Sequence, residues 1–407
     1  MEGTAWGILQ NTVGNKPSIP LYDRTCMLGR GNPAMNITTL TISSQHFMIQ
    51  AKEDEKKGEK KYSLTDTSTN GTYLNQTVVG KNGRVEIQLY DEISLLSPIK
   101  EKESASYMFL VFDKLKEEEE NGGPQKKYNF GRLIGKGSFA RVREVTDKAT
   151  NKKYAMKIID RNNTSVVSDE KQIFNEFEIL RKMSHKNVIG LYDVFLTPST
   201  LYIVFELVDG GDLFHLLEQK GCLNEMECRL VMQQLLQGLQ YLHHNHVIHR
   251  DIKPENLLLT KTNVVKISDF GLSKSINHTV AKTCCGTPMY VSPEVLSGKA
   301  YDEKTDVWSA GVVFYTLVCG FQPFTTTEKD TGNRELFDRI ENGHYKFPSP
   351  YWDNISTEIK NCIQLMLTVN PMKRPTVREC LLFPFFSGKK RERGDFYQPS
   401  PKRYYTD

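Results

Sequence analysis

A chain of 407 residues is long enough for two or three ordinary domains, each able to bury its own core. It is 39% hydrophobic, 25% charged and 10% aromatic, and its 53 basic against 49 acidic residues leave a net charge of +4, too balanced for bulk nucleic-acid binding. Eight cysteines with no C-x-x-C pair argue against metal clusters and a secreted disulfide framework, and neither a signal peptide nor a run of about 18–20 apolar residues is present, so a soluble, intracellular chain in a reducing compartment is expected.

In chain order, residues 1–112 carry short alternating or apolar runs: TLTISS, HFMIQ, KKYSLTD, VEIQLY and YMFLVF. Gly29, Gly31, Asn70-Gly71 and Asn82-Gly83 punctuate them, which is the pattern of an all-β sandwich or barrel. The segment EDEKKGEKK at 53–61 reads as a charged hairpin loop. Residues 113–127, DKLKEEEENGGPQKK, read as a solvated linker; the glutamates could instead end a short helix, for which the sequence offers no partner. From Tyr128 a few strands give way to FNEFEILRKM, MECRLVMQQLLQGLQYLHHN and SAGVVFYTLVCG, with apolar residues at helical spacing, so a small β-rich lobe followed by a larger α-rich lobe is expected. The tail, 387–407, is polar and basic and is expected to be disordered.

Four motifs follow one another in the second half. Gly135-Lys136-Gly137-Ser138-Phe139-Ala140, with Val142 after it, can bring a strand-turn-strand backbone close to phosphates; such turns are also common as plain structure, and no Walker A pattern is present. Lys157 ends the apolar strand Tyr154-Ala155-Met156, placed to clamp α- and β-phosphates with Glu176 as its partner. His249-Arg250-Asp251-Ile252-Lys253-Pro254-Glu255-Asn256 is the most specific: Asp251 can accept a substrate hydroxyl proton, Lys253 sets a charge beside the transferring phosphoryl group, and Asn256 offers an amide oxygen to Mg²⁺. Asp269-Phe270-Gly271 follows 18 residues after Asp251, a distance suited to one β-hairpin, and Asp269 would hold a metal across the β- and γ-phosphates.

Together these residues resemble the eukaryotic protein kinase family over 128–386. The resemblance implies a bilobal α+β fold and transfer of the ATP γ-phosphate with Mg²⁺, with Lys253 marking serine/threonine specificity. It assigns catalysis to Asp251, Lys253, Lys157 and Glu176. It assigns the nucleotide to Ile134, Gly135, Lys136, Gly137, Val142, Ala155, Lys157, Glu206, Val208, Glu255, Asn256 and Asp269, and the metal to Asn256 and Asp269. The hinge would be Glu206-Leu207-Val208, preceded by Phe205. The activation segment would run from Asp269 to Ser292-Pro293-Glu294, with Thr283 as its phosphosite and Thr287 a regulatory or structural position beside the substrate; Arg250 could pair with that phosphate. Glu294 is expected to pair with Arg374, and Asp306 to anchor the catalytic loop. Asp212 and Glu255 resemble the acidic surface of calmodulin-kinase-like enzymes, which implies an arginine three residues before the target serine or threonine.

In the first half, Gly29-Arg30, Ser43-Ser44-Gln45-His46 and Asn70-Gly71-Thr72 resemble, in order and spacing, a forkhead-associated (FHA) domain, a β-sandwich that binds phosphothreonine through its loops. Arg30, Ser43 and Ser44 would take the phosphate oxygens, Asn70 the peptide backbone, and His46 would brace the loop. Gly31 and Ser44 stand where that family often has an acidic and a basic residue, so a lower phosphate affinity is expected. An FHA domain directly before such a kinase resembles the checkpoint kinase 2 family. That implies a nuclear kinase of DNA-damage or meiotic-break signalling, activated in trans between two copies, with phosphothreonine proteins as partners and neither nucleic acid nor membrane bound directly. The Ser-Gln and Thr-Gln cluster usual in that family is missing: Ser44-Gln45 is the only such pair, so either the chain is a shortened form or its activating signal differs. Lys389-Lys390-Arg391, Arg393 and Lys402-Arg403 read either as a split nuclear-import signal or as a solvated basic tail, and the resemblance favours the nucleus, with some cytoplasmic protein. The competing reading is a phosphothreonine-binding adaptor whose kinase activity is weak or incidental.

Overall fold

The computed structural model describes all residues except 1–3, 14–15, 55–58, 98–104, 137–139, 162–176, 178–179, 270–287, 326–333 and 388–407. The first half is a β-sandwich. Strands β1 (Gly7–Asn11), β2 (Ile19–Leu21), β6 (Tyr73–Leu74), β7 (Thr77–Val78), β9 (Glu92–Ser94) and β10 (Ser106–Val111) form one sheet in the order β2-β1-β10-β9-β6-β7. The facing sheet orders β3 (Thr25–Leu28), β4 (Phe47–Asp54), β5 (Glu59–Asp66) and β8 (Arg84–Ile87) in sequence. Leu9, Phe47, Ile49, Leu64, Ile93, Tyr107 and Phe109 fill the space between them. The charged stretch at 53–61 is the β4–β5 hairpin, whose tip lies outside the described residues.

One strand expectation fails. TLTISS is loop, because only Ile42 of residues 39–44 is buried and the polar groups around it tie neighbouring loops together. The acidic stretch also departs from a solvated linker. It lies in helix α1 (Phe112–Glu120), which ends at Asn121 before Gly122 (φ 83°) and Pro124.

After it, β11 (Tyr128–Lys136), β12 (Ala140–Asp147), β13 (Lys153–Asp160), β14 (Leu191–Leu196) and β15 (Thr200–Glu206) make a five-stranded antiparallel sheet in the order β11-β12-β13-β15-β14. This sheet shares a core with the sandwich. Tyr90, Met108 and Leu110 pack with Tyr128, Val145, Met156, Ile158, Tyr202 and Val204. Every residue of β10 is buried, with Tyr107, Phe109 and Val111 in the sandwich core and Met108 and Leu110 in the shared one, the two-faced pattern that a strand period of two allows.

The chain divides into two compact units, and the cut does not fall between the two domains read from sequence. Residues 1–167 and 191–207 form the first; 168–190 and 208–407 form the second. The second unit is helical: α2 (Leu213–Lys220), α3 (Glu225–His244), α4 (Pro293–Leu296), α5 (Lys304–Cys319), α6 (Arg334–Asn342), α7 (Thr357–Met366), α8 (Val377–Leu381) and α9 (Pro384–Ser387), with the hairpin β16 (Leu257–Leu259) and β17 (Val265–Ile267). Asn224 starts α3 with a capping box: its side chain accepts the Glu227 amide and the Glu227 carboxylate accepts its own. Cys228, Met232, Leu235, Leu236, Leu239 and Leu242 then bury one stripe of the helix. Beyond its first residue α5 is buried all round, as a central core helix must be.

Candidate functional site

Within the second unit the catalytic motif is held by backbone capture. Asp306, fully buried at the start of α5, accepts the amides of His249 (2.9 Å, Oδ2) and Arg250 (2.8 Å, Oδ1), and its Oδ2 also bonds His243 Nε2 at 2.8 Å. Burial pushes the Asp306 pKa up, but the His243 and His249 bonds and charges outweigh it, so the carboxyl sits below the ordinary aspartate range. His249, also fully buried, spans the loop: its Nε2 donates to the Ser268 carbonyl (2.7 Å) and its Nδ1 accepts the Asp251 amide (3.2 Å). Arg250 takes a left-handed φ of 71°, and its buried Nε meets no partner among the described residues.

This frame brings Asp251, Lys253 and Asn256 together. Lys253 Nζ lies 2.8 Å from Asp251 Oδ2, and Asn256 Nδ2 donates to the same oxygen (2.9 Å) and to the Asp251 carbonyl (2.8 Å). With its nitrogen so engaged, the Asn256 amide oxygen is the end left for a ligand. Asn256 immediately precedes β16, and its carbonyl accepts both the amide (2.9 Å) and the hydroxyl (3.0 Å) of Ser268, just after β17. Leu257 and Ile267 are paired between them, so Asn256 and Asp269, itself at φ 61°, leave the same end of one hairpin. Two hard oxygen donors so placed suit Mg²⁺ in chemical type.

Behind the motif, Arg374 is buried with Glu294 in a bidentate pair at 2.7 and 3.0 Å, as the sequence leads one to expect. Asp212 caps α2 by accepting the His215 amide at 2.7 Å, a structural duty added to the acidic-surface reading, and Glu255 is exposed. Val208 opens the second unit's main segment.

In the first unit, Ile134, Gly135 and Lys136 end β11, with Gly135 paired to Val142 and Lys136 to Arg141 across the strand turn. Lys157 sits mid-sheet, paired with Val142 on β12 and Ile203 on β15, while Ala155 and Glu206 lie on β13 and β15. Gly137, Glu176, Phe270, Gly271, Thr283 and Thr287 lie outside the described residues.

The sandwich loops form a second constellation. The Arg30 and Gly31 amides bond the carbonyls of Ser43 and Ser44 (both 2.9 Å), and Arg30 Nε donates to the Ile42 carbonyl (3.1 Å), while Arg30 and Ser44 are both exposed. A Cβ on Gly29 would sit 2.6 Å from both the His46 amide nitrogen and the Ser44 carbonyl oxygen, which explains the glycine before this arginine. Ser43 Oγ accepts the Thr69 amide at 3.0 Å, and Asn70 Nδ2 donates to the Thr41 carbonyl at 2.7 Å, so Arg30, Ser43, Ser44 and Asn70 border one loop cluster.

His46 braces that cluster, its Nδ1 accepting the Ser43 amide (3.1 Å) and its Nε2 donating to the Gly71 carbonyl (3.2 Å). Asp66, part of the Asp66-x-Ser68-x-Asn70-Gly71-Thr72 resemblance but given no role by the sequence, ties the loop: its carboxylate accepts the Ser68 amide (2.9 Å) and the Thr72 amide and hydroxyl (3.2 and 2.8 Å). Burial pushes its pKa up, yet the Ser68 and Thr72 bonds win and hold it low. His243 and Ser268 were missed and carry no local signature.

Residues 128–386 match the protein kinase domain model and residues 26–96 the FHA domain model. The chain is 39% identical over 406 residues to a probable serine/threonine-protein kinase, fhkC, of Dictyostelium discoideum, covering 98% of this chain and 67% of that one. To fhkE of the same organism it is 34% identical over 397 residues, 94% of this chain and 54% of the relative. To mouse calcium/calmodulin-dependent protein kinase type IV it is 40% identical over 260 residues, 63% of this chain and 54% of the relative. It thus spans only part of the length of these relatives. Catalytic loop, loop cluster and relatives agree: the chain belongs to the protein kinase family, as an FHA-containing serine/threonine kinase with the domain order of the checkpoint kinase 2 type.

Proposed function

We propose that the chain transfers the γ-phosphate of ATP to serine or threonine in proteins selected partly by its FHA domain, with Asp251 orienting the acceptor hydroxyl and taking its proton. The observation that carries this is the Asp251–Lys253–Asn256 cluster, fixed through Asp306, His249 and Ser268. Phosphoryl transfer needs positioning and charge neutralisation more than covalent chemistry. Lys253 supplies a cation beside the transferring group. Asn256 and Asp269 would hold Mg²⁺, whose charge neutralises the β- and γ-phosphate oxygens. Gly135 and Lys136 would cover the phosphates, Lys157 would clamp them with Glu176 as its partner, and Ile134, Val142, Ala155, Glu206, Val208 and Glu255 would contribute the remaining nucleotide contacts.

Regulation by a phosphate on Thr283 is supported by Arg250, whose guanidinium lies over the Tyr301 ring (5.6 Å) and whose buried Nε has no hydrogen bond among the described residues, leaving it able to take an anion. Arg30, Ser43, Ser44 and Asn70 bind phosphothreonine, Asp212 and Glu255 favour an arginine three residues before the target, and two copies meet during activation. Nuclear checkpoint signalling after DNA damage or in meiosis is the role that the domain order favours.

The test is transfer from ATP and Mg²⁺ to an arginine-containing peptide library by wild type and Asp251→Asn. Loss of at least 10³-fold in the variant is expected. Absence of transfer by wild type carrying phosphorylated Thr283 would leave the adaptor reading standing.

A further inference from the structure

The five-stranded sheet is gripped from outside the catalytic domain at four points. At the first, Tyr90 holds a left-handed φ of 69°, an unfavourable conformation for an aromatic residue. The twist turns its carbonyl toward Arg143 of β12, whose Nε (3.2 Å) and Nη2 (2.7 Å) both donate to it, while Arg143 Nη1 donates to the Gly131 carbonyl of β11 (2.7 Å). The Tyr90 ring stacks on Phe130 with centroids 4.5 Å apart.

At the second point, Glu92 Oε2 accepts the Leu133 amide at 3.0 Å and lies 3.5 Å from Arg143 Nη1. Arg143 is fully buried; burial pulls its pKa down to about 10 against the opposing pull of Glu92, so it keeps its charge at neutral pH. At the third, Asp91, held by Asn75 Nδ2 (2.7 Å) and the Gln88 amide (2.7 Å), forms an ion pair with Arg141, the residue paired with Lys136 across the strand turn. At the fourth, Lys136 Nζ donates to Thr77 Oγ1 of β7 at 3.0 Å.

These contacts sit on the backbone and flanks of the residues that would cover the ATP phosphates. They are also more than packing: Glu92 answers the Leu133 amide of β11 directly, and Arg143, held by Tyr90 and Glu92, answers the Gly131 carbonyl, beside the β11 register shifts between Phe130 and Leu133 and between Leu133 and Gly135. We propose that the FHA domain is a positioning element for the nucleotide-binding strands, with Tyr90, Asp91, Glu92 and Thr77 setting the conformation of β11 and β12 so that ATP affinity depends on the sandwich in cis. This rests on the reading of Gly135 and Lys136 as the phosphate cover.

The test uses the full chain with Arg141→Gln and, separately, Thr77→Val. Neither residue belongs to the catalytic or phosphopeptide sets. KM for ATP should rise three- to tenfold in Arg141→Gln with kcat within twofold, and a smaller rise should follow in Thr77→Val. Amide hydrogen exchange across 128–147 should speed up by tenfold or more in Arg141→Gln, while phosphothreonine-peptide affinity stays unchanged. A variant that merely folded less well would lower kcat at constant KM and would overturn the proposal, as would unchanged KM and exchange in both variants. A wild type with no saturable ATP dependence would overturn the phosphate-cover reading as well; a saturable wild type with insensitive variants would overturn only the positioning role.

Discussion

Asp306 has no contact with solvent and yet is ionised, because two backbone amides and His243 converge on its two oxygens. Changing it to asparagine keeps an acceptor but presents N–H groups to donors, so Asp306→Asn should cost about 3 kcal/mol in stability of the second unit and lower kcat at least tenfold. Urea unfolding and steady-state kinetics on the same preparation would measure both; unchanged kcat would remove Asp306 from catalytic-loop positioning. His46 offers a test by pH. Burial holds its pKa below the ordinary value of about 6.5, so the neutral ring is the folded form. Its contribution is complete above about pH 6.5 and is lost as pH falls toward the depressed folded value, since the unfolded chain takes up the proton first. The melting temperature of the unliganded first unit should therefore drop through that window, and His46→Gln should flatten the slope. An equal slope in both proteins would place the titrating group elsewhere.

At the scale of elements, α1 shows where local reasoning misleads. Glutamates in the last turn of a helix oppose its dipole, so local physics favours an extended, solvated stretch. The helix forms because Glu118 docks: its Oε1 accepts the hydroxyls of Thr197 (3.2 Å), Ser199 (2.8 Å) and Thr200 (3.3 Å), and its Oε2 accepts Tyr202 (2.8 Å). Those hydroxyls lie about 80 residues downstream, beyond the reach of any window read along the chain. Glu118→Ala should destabilise the first unit by about 2–3 kcal/mol by stranding the buried hydroxyls, whereas Glu120→Ala, at an exposed ion pair with Lys116, should cost under about 0.5 kcal/mol. Equal effects from both would return the stretch to a solvated linker. By contrast, the apolar stripe of α3 was legible, since its residues recur at three- and four-residue spacing along the chain. The catalytic octapeptide was legible too, because its chemistry demands those residue types in a short run. One support was legible with it, Asp306, which takes the His249 and Arg250 amides as expected; His243 and Ser268 were not, since they meet the motif only through the fold.

At the scale of the whole molecule, burying Met108, Leu110 and Tyr90 against the five-stranded sheet contributes roughly 1.5–3 kcal/mol per side chain, more than a flexible tether between independent domains would supply. Sandwich and sheet should therefore open as one cooperative body. Met108→Ala is expected to cost about 2–5 kcal/mol and to raise hydrogen exchange equally in β10 and in β13 and β15. Faster exchange confined to β10 would mean two bodies that only touch. The alternate side chains of β10 also bear on the history and engineering of such chains. A strand that answers to two cores at once cannot be exchanged like a cassette. A chimera joined at Gly122-Gly123, the obvious seam in the sequence, would inherit one partner of each Tyr90–Phe130, Asp91–Arg141 and Glu118–Tyr202 pairing from either parent. Grafting a foreign reader onto this kinase would then require Tyr90, Asp91, Glu92, Met108, Leu110 and Glu118 to travel with the acceptor.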